Sequence, residues 1–95
     1  MGSREELFNK VTSFLVPLGA TRIAIFGSYA RGQATRESDL DVLVRFVTPK
    51  SLLELIRIER ELSESLGVKV DLLTEKAISP YLIDRIREES TVIHG

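Results

Sequence analysis

Residues 26–44 read Phe-Gly-Ser-Tyr-Ala-Arg-Gly-Gln-Ala-Thr-Arg-Glu-Ser-Asp-Leu-Asp-Val-Leu-Val, with ten residues between Ser28 and Asp39. An apolar run, residues 22–26, leads into this stretch and reads as a buried strand that Gly27-Ser28 breaks. A short helix is expected from Tyr29, with Ser28 as its N-cap. Glycine lets a backbone come close to a ligand. Free N–H groups at a helix start, together with a serine hydroxyl, can hold anionic oxygens. Gly27 and Ser28 are therefore candidate phosphate-binding residues. Gly32 to Ser38 is polar and turn-like.

The clearest strand is 39–46. Leu40, Val42, Val44 and Phe46 fall on one face, and Asp39, Asp41, Leu43 and Arg45 on the other. Residues two apart on a strand share a face, with Cα atoms ~6–7 Å apart. Two carboxylates at that spacing can share a divalent metal, and magnesium prefers hard oxygen ligands supplemented by water and substrate phosphates. Asp71, in the alternating run 68–73, would complete a three-carboxylate group on the same face. Burying three unpaired anions would cost several kcal/mol, which a bound metal–nucleotide would offset.

Working outward, residues 4–16 read as a helix with Leu7, Val11, Phe14 and Leu18 inward, ended by Pro17 and Gly19. Residues 50–66 form the longest helix. Its buried stripe is expected at Leu52, Leu55, Ile56, Leu62 and Leu66, with Ile58 as an exposed apolar position. Arg57/Glu61 and Arg60/Glu64 are spaced for ion pairs on its wet side. Gly67 is the expected stop. Ser79-Pro80 opens a last helix to about Glu89, burying Leu82, Ile83 and Ile86, and Thr91–Gly95 is left as a strand or a frayed tail. The order predicts an α/β (α+β) domain over 1–95: a small sheet with helices mainly on one face and the aspartates on the other.

Composition narrows the chemistry. The 95 residues include 13 basic and 14 acidic side chains, a net charge of −1, no cysteine and one histidine, His94. Thiolate zinc sites, cysteine nucleophiles and disulfide scaffolds are excluded, and a histidine triad has too few members. Direct nucleic-acid binding is not expected without a basic stripe. No apolar run approaches the ~20 residues that span a membrane, and the first residues lack a signal-peptide core; the expected location is cytoplasmic. A domain this small can offer one site but can hardly enclose two substrates, so an acceptor would come from another chain.

Gly-Ser, ten residues and Asp-x-Asp together resemble the signature of the DNA polymerase beta-like nucleotidyltransferase superfamily. The whole chain resembles its minimal nucleotidyltransferase (MNT) proteins. The resemblance implies a mixed sheet and transfer of a nucleoside monophosphate from an NTP, with two Mg2+ ions as cofactor and ATP as the expected donor. It further implies that Gly27 and Ser28 hold phosphates, that Asp39 and Asp41 are paired catalytic metal ligands and that Asp71 is the third acid. Arg31, one turn past Ser28, is placed to reach the β or γ phosphate, the alternative being a surface charge paired with Glu37 or Asp39. Lys69 shares the face of Asp71 and reads as a surface or charge-balancing residue. The resemblance also implies an antitoxin of the HEPN/MNT toxin–antitoxin type, in a hetero-oligomer with a helical HEPN ribonuclease that it adenylylates; a homodimer stays open. Two alternatives stand beside it: the catalytic subunit of an antibiotic-type small-molecule nucleotidyltransferase, and an antitoxin that acts by contact alone.

Overall fold

The computed structural model describes residues 4–35 and 38–95. Glu37, named above as one partner for Arg31, lies outside them. The elements are α1 (Arg4–Leu15), β1 (Ala20–Phe26), β2 (Leu40–Phe46), α2 (Leu52–Leu66), β3 (Val70–Thr74), α3 (Pro80–Glu88) and β4 (Thr91–His94). The strands form one mixed sheet in the order β3-β2-β1-β4. β1 is antiparallel to both β2 and β4, while β2 and β3 run parallel. A parallel pair needs a crossover, which α2 supplies. The tail is thus a strand, and the sheet is mixed as the resemblance implied.

Alternation along the strands sets the two faces. Ile23 and Ile25 of β1, Leu40, Val42 and Val44 of β2, and Val70 and Leu72 of β3 point to one side. There they pack against Phe8, Val11 and Leu15 of α1 and Ile58 and Leu62 of α2. On the opposite side Phe26 pairs with Asp41, Ala24 with Leu43, and Asp41 with Asp71. α3 buries none of its residues fully. It joins the sheet's two edges, with Ile83 and Ile86 half-buried and Leu82 51% exposed.

Two helix phases differ from expectation. On α2 the inward stripe is Leu55, Ile58, Leu62 and Leu66; Ile58 is 7% exposed, whereas Leu52 is 73% and Ile56 52% exposed. The spacing 55-58-62-66 keeps a single face of a 3.6-residue helix inward, and Leu52 and Ile56 fall off it. On α1, Phe8 and Leu15 join Val11 at the centre while Leu7 and Phe14 flank it, and Leu18 lies beyond the helix in a 3-10 turn. Of the two expected α2 ion pairs, Arg60–Glu64 is present at 3.4 Å.

α2 does more than bridge two strands. Ser51 caps its start by accepting from the N–H of Glu54, and Gly67 closes its end at φ +71. The edge strand β3 would otherwise leave outward N–H groups bare. Val70 N donates to Ser63 Oγ at 3.0 Å, and Leu72 N donates to Glu59 Oε2 at 2.8 Å. The outer amides of Val70 and Leu72 are therefore held by α2, and Asp71 between them is pinned to β2.

Candidate active site

β1 ends at Phe26, and Gly27 turns the chain at φ +73. A Cβ built on Gly27 would fall onto Asp41 Oδ2, so any side chain here would displace that carboxylate as well as strain the backbone. The following residues do not extend into a helix. They make one closed turn: the N–H of Arg31 donates to Gly27 O, that of Gly32 to Tyr29 O and that of Gln33 to Ser28 O. Gly32, at φ +70, reverses the chain before a second helical turn can form. The expected helix N-terminus is thus replaced by a compact loop, and any anion held by Gly27 and Ser28 is held by this loop. Tyr29 packs half-buried against the core.

Asp41 and Asp71 are register partners across the parallel pair, and their side chains hydrogen-bond. Two carboxyl groups can share a hydrogen bond only while one carries a proton. Accordingly the Asp41 carboxyl is raised to about 6, first by burial, then by the charge of Asp71 and the bond to it, then by the charge of Asp39; the Arg31 guanidinium acts the other way. Asp39 is turned aside: its Oδ2 lies 3.8 Å from Lys69 Nζ. Among the described residues no three acidic or histidine side chains stand close enough together to hold a metal ion. The structure brings Asp41 and Asp71 together under Gly27 and leaves Asp39 electrostatically linked to them but paired to a lysine. The reason is plain electrostatics. Three like charges do not converge unless a cation lies among them.

Arg31 donates through Nε to Gln33 Oε1 at 3.3 Å, which keeps its guanidinium at the edge of the loop while its charge still acts on Asp41. Lys69 is the exposed, charge-balancing residue that the sequence suggested, and the structure adds its partner, Asp39. That Lys69, just before β3, comes beside Asp39, just before β2, follows only once the parallel register is known.

A cleft of about 450 Å³ lies behind the loop, with Arg4, Leu7, Lys10, Tyr29 and Leu66 among its walls. The aspartates do not line it, and the acid group occupies the open side of the sheet. The donor set suits a hard divalent cation. It is all carboxylate oxygen, the Asp41 carboxyl is already raised by burial and by its like-charged neighbours, and the glycine beside it leaves room at Asp41.

A mixed sheet with a glycine-serine bend ending one strand, and carboxylates meeting from the next two, defines the nucleotidyltransferase class of enzymes. The chain belongs to that family: residues 5–93 match the nucleotidyltransferase domain. It is 47% identical over 85 residues to a provisionally named protein adenylyltransferase of Methanocaldococcus jannaschii, covering 90% of this chain and 91% of that protein. A minimal nucleotidyltransferase of known structure superposes with a TM-score of 0.81 at 36% identity, over 95% of each chain. The toxin–antitoxin complex MntA-HpeT, solved as a Tyr-to-Ala mutant, contains a chain that superposes with a TM-score of 0.80 at 25% identity, over 92% of this chain and 71% of that one. No helix among the described residues is long and apolar enough to cross a membrane.

Proposed function

We propose that this chain transfers AMP from ATP to a hydroxyl of a partner protein, and that the partner is a helical HEPN-type ribonuclease toxin silenced by the modification. One observation carries the reading: Asp41 and Asp71 meet in register beneath a glycine whose missing side chain leaves Asp41 its space. The kinship with a protein adenylyltransferase and the likeness to a toxin–antitoxin chain support the choice of acceptor.

In this reading Asp39, Asp41 and Asp71 would hold two magnesium ions, which would lower the pKa of an attacking hydroxyl and neutralise a departing pyrophosphate. The chain's own groups do the rest. The loop at Gly27 and Ser28 orients the triphosphate, and Arg31 faces the phosphates on which charge grows as pyrophosphate leaves. The acceptor oxygen bonds to the α-phosphorus as the bond to the bridging oxygen breaks, and the pyrophosphate departs with that electron pair. Asp71 is placed to take the hydroxyl proton. No bond to the enzyme is made. The small domain leaves the acceptor to the partner, which is why the site lies open.

The test is incubation with α-labelled ATP, magnesium and a candidate helical toxin, followed by detection of label on the toxin. Label that disappears in Asp41→Asn is the expected result. Label on a small molecule instead, or neutralisation of the toxin with no label on either protein, overturns the reading.

A further inference from the structure

The two aspartates of the Asp-x-Asp pair meet opposite kinds of partner, Asp41 an acid on β3 and Asp39 a lysine just before it. The register that sets Asp41 against Asp71 and Leu40 against Val70 puts Lys69 beside Asp39. The backbone fixes this placement, because Leu40 N donates to Lys69 O at 2.8 Å. The lysine side chain is 72% exposed and that of Asp39 41%, with Nζ 3.8 Å from Oδ2. On the other flank Arg31 acts on Asp41. The acid group therefore has a cation on each side, one from the loop after β1 and one from the residue before β3.

We propose that Lys69 is a positioning residue that holds Asp39 while no metal is present and passes to the triphosphate when a divalent cation arrives with its nucleotide; this rests on reading the acids as a metal–nucleotide site. A divalent cation binding alone must take the Asp39 oxygens from the ammonium and gives it nothing in return. A metal–nucleotide complex brings phosphate oxygens, so the displaced ammonium gains a new partner as it loses the old one. Lysine suits this exchange, being a positive charge on a flexible four-carbon stem. The device favours loading of metal and nucleotide together over idle occupation by metal.

The experiment compares the full chain with Lys69→Met and Lys69→Arg. Free Mn2+ is read by its paramagnetic resonance, first with Mn2+ alone and then with Mn2+ and a non-hydrolysable ATP analogue. In Lys69→Met, Mn2+ alone should bind about two- to five-fold more tightly, the range of an exposed ion pair, and the Mn2+–nucleotide complex at least two-fold more weakly. Lys69→Arg should restore both. In an Asp39→Asn background the gain for Mn2+ alone should vanish, because the lysine then has no carboxylate to hold. Lys69→Met affinities that stay at wild-type values, that move in the same direction, or that keep the Mn2+ gain in the Asp39→Asn background overturn the inference. Wild-type protein that binds neither Mn2+ nor the analogue instead overturns the site reading beneath it.

Discussion

Gly27→Ala tests the site most directly, because the same chain supplies its own control. Gly27 and Gly67 have nearly equal backbone angles, φ +73 and +71, yet a Cβ on Gly67 meets nothing within 4 Å whereas one on Gly27 lands on Asp41 Oδ2. Alanine at either position carries a left-handed backbone penalty of about 1–2 kcal/mol. Gly27→Ala adds an overlap that forces the Asp41 carboxylate away from Asp71, a further cost of about 1–2 kcal/mol on the scale of overpacking. Truncating the obstacle should recover the difference. In Asp41→Ala the remaining Cβ lies 3.7 Å from the new methyl group, an ordinary contact. Urea unfolding of Gly67→Ala, Gly27→Ala, Asp41→Ala and the Gly27→Ala/Asp41→Ala double variant gives the coupling directly. The expected coupling is about 1–2 kcal/mol, well above the ~0.5 kcal/mol within which independent sites add. Nucleotide binding should fail in Gly27→Ala and persist in Gly67→Ala. Equal stability of the two glycine variants, with additive double-variant energies, would refute the claim that Gly27 is reserved for Asp41.

The remaining predictions concern the acids and the edge strand. In EDTA, the raised Asp41 carboxyl gives the metal-free fold a contribution that is fully present below its unfolded value of 3.8 and is lost as pH rises through about 6. Asp41→Asn should remove this dependence and gain about 1–2 kcal/mol at pH 7.5 after allowance for solvent screening; unfolding curves at pH 3.5 and 7.5 check it. Glu75 behaves oppositely. Burial alone would raise it, but Arg45 at 2.5 Å and Arg87 at 3.3 Å hold its carboxyl below the usual value of 4.5. Its contribution is present above pH 4.5 and fades as acid drives the pH down through the lowered value, so Glu75→Gln should cost about 1 kcal/mol at neutral pH and less in acid, as read by thermal melts across that window. Glu59→Ala should strand the Leu72 amide on the sheet edge and cost about 1–2 kcal/mol, with faster amide exchange at Leu72 than at Val42.

How far the sequence speaks for itself varies from element to element. The alternation in 39–46 settles β2 and its faces, because a strand's period of two leaves one choice once Leu40, Val42 and Val44 are inside. The phase of α2 is harder to read. Leu52, Ile56 and Ile58 are equally apolar, and only the position of the sheet decides that Ile58 goes in. The loop after Ser28 carries a helix-like opening, but Gly32 comes too soon to let a helix grow. The nearness of Asp41 to Asp71 follows from a crossover of some thirty residues, a non-local fact that no short motif encodes; the family resemblance supplied it, and the parallel register accounts for it. The turning of Asp39 onto Lys69 comes from charge balance among groups brought together by that same register.

The parallel pairing of β2 with β3 has a consequence for how the protein is made. The first two strands can zip together as soon as both have left the ribosome, but the third acid cannot reach its neighbours until α2 has formed and β3 has followed it out. Through much of synthesis the young chain keeps its third acid apart from the first two, and the crowding of negative charge that primes the site arises only once β3 has paired with β2.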